Sequence, residues 1–172
     1  MKAGTAKAVQ AKAGKEPAGK GRTAARSRKT RPSGVVLDTA LLLQVLLHND
    51  AEGTLLRQAW QDGRLPLLVC AETAQLLMLS LAAPVLKLKP AQQQELLADV
   101  LPYAQVCKPL QGRAAARLPQ GPLLALSLAL EAGAGLLLSE SVALRNHVAR
   151  QATRYPGLRV RTLREWVDES RT

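Results

Sequence analysis

Three carboxylate side chains stand just after short apolar runs of the chain and are the first candidates for chemistry. Asp38 closes the first run, and Glu72 and Glu140 lie one residue beyond the ends of two later runs. In an open parallel sheet, ligands bind at the carboxyl ends of the strands, so the three acids are expected near one edge. Together they could hold a metal ion. Each is equally suited to stabilise a helix N-terminus, as a cap or through the helix dipole.

Motifs for other chemistries are missing from the sequence. It contains no GxGxxG after the first strand, no GxxxxGK[ST] and no GxSxG, so nucleotide binding and serine hydrolase activity have no support. His48 and His147 are far apart and have no partner at ligand spacing. Cys70 and Cys107 lack the spacing of a zinc site or a disulfide framework, which indicates buried thiols in a reducing, cytoplasmic setting.

The elements that must position these groups alternate between strand and helix. The predicted strands are residues 35–37, 67–70, 103–107, 136–138 and 158–160. The predicted helices are 41–47, 50–60, 71–81, 90–101, 123–132 and 139–154, and a last helix follows the capping box Thr162–Glu165. Residues 108–120 show no periodicity and are predicted to be a loop. This alternation predicts an α/β fold, a three-layer α/β/α arrangement around a mostly parallel sheet of roughly five strands.

Length and charge divide the 172 residues into a tail and one domain. Residues 1–33 carry ten Lys or Arg against a single Glu, whereas residues 34–172 carry fourteen against twelve acids. With 47% hydrophobic residues, the second part can form an ordinary core. The sequence has no apolar run long enough for a membrane span and no apolar segment of a secretory signal, which favours a soluble cytoplasmic protein.

The basic tail, residues 1–33, is a low-complexity mixture of Ala, Gly, Lys and Arg. It has almost nothing to bury, so it is predicted to be disordered. Its spaced positive charges could bind the phosphates of RNA or DNA without reading sequence. A solubilising extension explains the composition equally well, and a mitochondrial transit peptide is a third alternative.

Three segments give the chain a resemblance to the PIN domain family, the metal-dependent ribonuclease fold that includes toxin components of bacterial toxin-antitoxin pairs. Residues 35–39 (VVLDT) resemble the family's first strand, which ends in Asp-Thr-Asn. Residues 124–138 are similar to its late helix and the strand after it, and residues 160–166 to its closing strand and helix. The resemblance covers residues 34–168 and rests on the order and spacing of these segments.

The resemblance implies a site in which several carboxylates bind Mg²⁺ or Mn²⁺, hard cations that prefer oxygen ligands. The metal would activate water and offset charge on the scissile phosphate. Asp38 matches the family's first acid, although Ala40 stands where the family has Asn. The second acid falls at Leu76, and Glu72 lies one helical turn earlier on the same face.

The remaining two acids of the family pattern are replaced. The third belongs to an Arg-Asp-Pro-Asp run, which here is residues 117–123 (RLPQGPL), with the Arg and Pro kept and the carboxylates gone. The fourth falls at Ser141, next to Glu140. Asp38 is therefore the one acid in place, and Glu72 and Glu140 are displaced candidates for a catalytic or metal-binding role.

Three functions are compatible with this pattern. The first is a PIN-like domain of the toxin-antitoxin ribonuclease type whose metal-dependent activity is lost or impaired and which acts by binding RNA or a protein. The second is an active Mg²⁺-dependent endoribonuclease that uses Asp38, Glu72 and Glu140 in a shifted site, with Ser139 or Ser141 orienting water. The third is a non-catalytic module in which the helical region 41–62 forms a homodimer or an antitoxin-like contact.

Basic side chains are the candidates for nucleic-acid contact. The candidates are Arg22, Arg26, Arg28, Lys29 and Arg31 in the tail and Arg117, Arg150 and Arg154 in the domain. Arg150 and Arg154 are spaced to share one face of the predicted helix 139–154, and further arginines cluster near the closing strand. A solvated helix face is the alternative explanation of this charge.

Overall fold

The structure, a computed structural model, describes residues 34–171. The predicted disorder of residues 1–33 and the five candidate residues there lie outside this range. Five strands form one sheet: β1 (Val35–Leu37), β2 (Leu67–Val69), β3 (Ala104–Val106), β4 (Leu136–Leu138) and β5 (Arg159–Arg161). Their order is β3-β2-β1-β4-β5 and every neighbouring pair is parallel, which confirms the predicted α/β fold.

Six α-helices connect these strands, and a seventh follows β5. They are α1 (Thr39–Leu47), α2 (Ala51–Gln61), α3 (Ala71–Leu81), α4 (Pro90–Ala98), α5 (Gln120–Ala132), α6 (Val142–Arg150) and α7 (Leu163–Ser170), and 3-10 turns occur at Pro84–Leu86 and Leu101–Tyr103. No helix within residues 34–171 is long and apolar enough to cross a membrane.

Two hydrophobic layers cover the two faces of the sheet. On one face, helices α1, α2, α3 and α7 pack around Val35, Leu37 and the fully buried Trp60. On the other face, α5 and α6 pack on Val36 and Leu137. Successive residues of one strand thus point to opposite layers, as the period of a β-strand requires.

Helix α1 lies inside the first layer, which accounts for its high content of leucine. Its residues Leu41, Leu42, Val45 and Leu46 are buried among other elements of the same chain. The helical region 41–62 is divided by an extended residue, His48, which ends α1, and α2 starts from the Asp50 cap. Packing within one chain therefore explains the apolar run, and a homodimer is not needed to cover it.

Local signals account for several of the helix ends. Asp50 accepts a hydrogen bond from the backbone of Gly53, and Thr162 and Glu165 form the predicted capping box of α7. Gly133 ends α5 with φ +67°, a left-handed conformation that glycine adopts without steric cost.

Several predicted helix boundaries were wrong. Helix α4 ends at Ala98 rather than near Leu101, and α6 begins at Val142 rather than at Ser139. Helix α6 ends at Arg150 rather than near Arg154, because the chain turns at Gln151 and brings Tyr155 back over α6, where its hydroxyl lies 3.1 Å from His147 Nε2. The predicted loop 108–120 ends at Pro119, because α5 begins at Gln120, three residues before its expected start.

Candidate functional site

Asp38 lies at the carboxyl edge of the central strand β1 and is almost entirely buried, with 2% of its surface exposed. Its Oδ2 accepts a hydrogen bond of 2.8 Å from the hydroxyl of Ser139, at the end of the neighbouring strand β4. Its Oδ1 accepts a longer one, 3.4 Å, from the backbone N–H of Ala40 and so caps α1. Both carboxylate oxygens therefore have partners inside the domain.

The start of α5 packs directly against this carboxylate. A Cβ atom placed on Gly121 would lie 2.9 Å from Asp38 Oδ1 and 3.8 Å from Cβ of Thr39. That distance is too short for any side chain, so only glycine fits position 121 without a shift. Position 121 belongs to the segment in which the PIN-like pattern has its third acid. Here backbone occupies the space beside Asp38.

Burial also shifts the protonation equilibrium of Asp38. Desolvation raises its pKa above the ordinary value, and hydrogen bonds from Ser139 and from the backbone of Ala40 and Thr39 oppose this effect. The folded protein therefore binds a proton at Asp38 more readily than the unfolded chain does.

Glu72, in the first turn of α3, supports a loop instead of facing Asp38. Its Oε1 accepts a 3.1 Å hydrogen bond from the backbone of Leu110 in the loop after β3. The pKa of Glu72 is lowered, first by its own backbone N–H, then by the thiol of Cys70, with a contribution from Leu110. Its Oε2 is buried and has no hydrogen-bond partner within residues 34–171.

Loss of the Glu72 charge is expected to destabilise the fold in a pH-dependent way. Because the folded pKa is lowered, this stabilisation is complete above the ordinary pKa of 4.5 and disappears as the pH falls through the folded pKa. Glu72→Gln should therefore lower the urea midpoint at pH 7, and the difference from the parent should shrink in acid. Glu95→Gln, at an exposed position of α4, is the control. A difference that stays constant with pH would contradict this role.

Glu140 and Ser141 hold the starts of two further helices. Oε1 of Glu140 accepts a 2.9 Å hydrogen bond from the backbone of Leu163, the first residue of α7. Ser141 is the N-cap of α6 and accepts from the backbone of Leu144. Both side chains thus satisfy backbone donors that a helix leaves unpaired at its start.

The three predicted acids, Asp38, Glu72 and Glu140, therefore make hydrogen bonds to three different parts of the domain and do not converge on one site. Within residues 34–171, no group of three or more His, Cys, Asp or Glu side chains is close enough to hold a metal ion. Buried, paired Asp38 and the Gly121 backbone beside it do not suit a hard divalent cation, which needs several free oxygen ligands. Ser139, predicted as a group that orients water, is completely buried and donates to Asp38.

A cleft of about 420 Å³ opens beside this edge, between α3, the start of α5 and the loop after β3. Its lining includes Glu72, Gln75, Leu79, Arg113 and Gln120. Three side chains hold its loop wall by accepting backbone hydrogen bonds: Glu72 from Leu110, Glu131 from Gln111 and Gly112, and Ser127 from Ala114. Sequence reasoning missed this anchoring, because the acceptors lie on helices distant in the chain.

A second feature is an arginine surface at the β5 edge of the sheet, where α6 covers one face and α7 the other. We define the arginine surface as Arg145, Arg150, Arg154, Arg159, Arg161 and Arg164. It borders a groove of about 360 Å³ between α6 and β5, lined by Arg145, Arg159 and Arg161. Glu169 offsets part of the charge, with ion-pair distances of 2.7 Å to Arg161 and 3.8 Å to Arg159. Nε of Arg145 is buried without a hydrogen-bond partner in the described part of the chain.

Arg150 and Arg154 are both exposed, but they do not share a helix face as predicted. Arg150 is the last residue of α6, and Arg154 lies in the turn that follows. Arg117 is exposed on the loop between β3 and α5, apart from the arginine surface.

The chain matches no model of a known protein family. No curated protein sequence matches it significantly either. Its fold class is shown by the parallel sheet, and its resemblance to the PIN domain family remains a prediction.

Proposed function

We propose that this protein is a PIN-like domain of the toxin-antitoxin ribonuclease type with lost or impaired metal-dependent ribonuclease activity, and that it acts by binding RNA. The single observation that carries the proposal is the enclosure of Asp38. Asp38 is 2% exposed, accepts a hydrogen bond from Ser139 and lies close to the backbone of Gly121. A catalytic metal would need this carboxylate free, with others beside it.

The arginine surface supports the choice of RNA as ligand. The exposed guanidinium groups of Arg150, Arg154 and Arg164 can form bidentate contacts to phosphates, which fix a nucleic acid without reading its bases. Trp60 and Tyr155 are buried, so neither can stack on a base, whereas Tyr103, on the side of β3, is 46% exposed. We therefore infer affinity that depends on salt more than on base sequence.

Arg150 and Arg154 are the best residues for testing this, because Arg159 and Arg161 already pair with Glu169. In the whole chain, Arg150→Gln/Arg154→Gln should weaken binding of a labelled single-stranded RNA about three- to tenfold. The slope of log affinity against log salt should fall by about 1–2. Fluorescence anisotropy in EDTA at several salt concentrations measures both.

The matched control also removes two exposed cations, but on the side of β3. Lys87→Gln/Lys89→Gln changes the net charge equally. If both double variants lose the same affinity, binding follows net charge and the arginine surface is not the site. If neither loses affinity, the domain does not bind RNA there, and the interaction-module alternative moves ahead.

Separate experiments test the two alternative functions, an active endoribonuclease and a non-catalytic interaction module. An active endoribonuclease using Asp38, Glu72 and Glu140 would cleave RNA with Mg²⁺ or Mn²⁺ and lose that activity in Asp38→Asn. A homodimer or an antitoxin-like complex would be seen by light scattering coupled to size-exclusion chromatography. A cytoplasmic location belongs to this proposal, because a PIN-like domain of this type would meet RNA there.

A further inference from the structure

We propose that Cys70 and Cys107 are a reversible thiol pair that forms an intrachain disulfide between the ends of β2 and β3. This modification site is independent of the proposed RNA binding, since it depends only on the two thiols and their surroundings. Both are free thiols in the structure.

The register of the sheet places the two cysteines opposite each other. In the β2–β3 pair, Val69 is opposite Val106, so Cys70 and Cys107 are the next residues along the two strands and lie opposite each other. The pairing continues to this point, because the Cys107 N–H donates a 2.7 Å hydrogen bond to the Val69 carbonyl. Neighbouring strands lie about 4.8 Å apart, and disulfides bridge Cα separations of about 4.4–6.8 Å.

Both thiols also face the same side of the sheet. Cys70 belongs to the buried layer formed with α5 and α6, and Cys107 packs against that same layer. In a parallel pair, opposite residues project in the same direction, so the two sulfur atoms can approach without a change of strand register.

The two cysteines differ in exposure, and this difference determines which thiol reacts first. Cys70 is 1% exposed, whereas Cys107 is half-buried and lines an open cleft of about 510 Å³ with Lys108, Leu128 and Glu131. A small disulfide can therefore reach Cys107 first. Cys70 is positioned to attack the resulting adduct from inside the domain.

The chemistry is two successive exchanges with oxidised glutathione, a small-molecule disulfide, as oxidant. The Cys107 thiolate attacks one glutathione sulfur, which forms a mixed disulfide and releases one glutathione thiolate. The Cys70 thiolate then attacks Sγ of Cys107 and releases the second. Two cysteines lose two protons and two electrons, and one oxidised glutathione becomes two molecules of reduced glutathione.

Local electrostatics agree with the proximity of the two thiols and determine the rate of oxidation. Burial raises the pKa of the Cys107 thiol above its ordinary value, and the charge of Cys70 raises it further. Because the thiolate is the nucleophile, oxidation should be slow at neutral pH and faster in alkali. The groups beside Cys70 are Thr73, whose Oγ1 lies 3.6 Å from its sulfur, and Glu72.

A disulfide here would act on the loop wall of the 420 Å³ cleft. Cys107 is where that loop begins, and Cys70 stands two residues before Glu72, which holds Leu110 of the same loop. The bond would tie the base of the loop to the start of α3.

The whole chain should be incubated with oxidised glutathione and followed by intact mass and by thiol counting. The expected product has lost both thiols and about 2 Da, with no retained glutathione. Trypsin should then release the peptides containing Cys70 and Cys107 as one linked species, separable by a reductant. Reduced glutathione should restore both thiols.

Two variants separate the roles of the cysteines. Cys70→Ala should stop at a stable mixed disulfide on Cys107, and Cys107→Ala should leave Cys70 unmodified in the folded protein. If either variant fails to fold, peptide mapping of the parent still decides. Retention of both thiols, a stable glutathione adduct on the parent, or linkage between two chains would overturn the proposal.

Discussion

Asp38→Ala is expected to lower the free energy of unfolding by about 1–3 kcal/mol, whereas Asp38→Asn should be nearly as stable as the parent or more stable at neutral pH. Alanine removes the α1 cap, a loss of about 0.5–2 kcal/mol. It also leaves the buried Ser139 hydroxyl without its acceptor, a further cost of about 1–3 kcal/mol. Relief of the buried charge offsets part of both losses.

Asparagine keeps the cap and a hydrogen-bonding group but cannot ionise. Since burial raises the pKa of Asp38, the parent binds this proton more tightly when folded. As the pH rises above the ordinary value of 3.8, the unfolded chain releases its proton first, and the parent loses stability relative to Asp38→Asn. Below that value the difference should be constant.

Urea unfolding of both variants between pH 3 and pH 8 measures these effects. An Asp38→Asn protein that matches the parent at pH 3 but is much less stable at neutral pH would show that the charge itself stabilises the fold. That outcome would contradict the description of Asp38 as a buried, capping carboxylate.

The second large effect is expected at Gly121. Gly121→Ala should cost about 1–3 kcal/mol, because its Cβ would lie 2.9 Å from an Asp38 oxygen that is fixed by Ser139 and α1. This is opposite to the ordinary effect of alanine, which favours a helix by about 1 kcal/mol relative to glycine.

A double-mutant cycle isolates that contact. If the cost comes from the Asp38 carboxylate, Gly121→Ala should be much less harmful in an Asp38→Ala background, which provides the missing space. Gly112→Ala, at an open position, is the control for a general effect of alanine. Equal costs of Gly121→Ala in both backgrounds would rule out the contact with Asp38 as the cause.

The alternation of apolar runs and helical patterns was enough to predict the parallel sheet, because strand and helix periods are local properties. It did not predict strand order. The hydrogen bond between Asp38 and Ser139 joins residues 101 positions apart, and it exists because β1 and β4 are neighbours. Sequence alone therefore suggested that Asp38 caps a helix but could not supply its main partner.

The contact at Gly121 was hidden for a related reason. The prolines at positions 119 and 122 made this segment resemble a loop, so α5 was predicted to begin at Leu123. In the structure Pro119 precedes the helix as its N-cap and Pro122 lies in its first turn, where a missing N–H costs little. The glycine between these two prolines was the sequence signal that could have indicated a close approach of the backbone at this position.

The proposed loss or impairment of metal-dependent ribonuclease activity is tested most directly by RNA binding of the whole chain in EDTA and in millimolar Mn²⁺. The labelled RNA should be recovered intact, with the same affinity in both conditions and in Asp38→Asn. Cleavage in Mn²⁺ that disappears in Asp38→Asn would contradict the proposal and establish the active endoribonuclease. Tighter binding in Mn²⁺ that disappears in the same variant would contradict it by showing a metal site at Asp38.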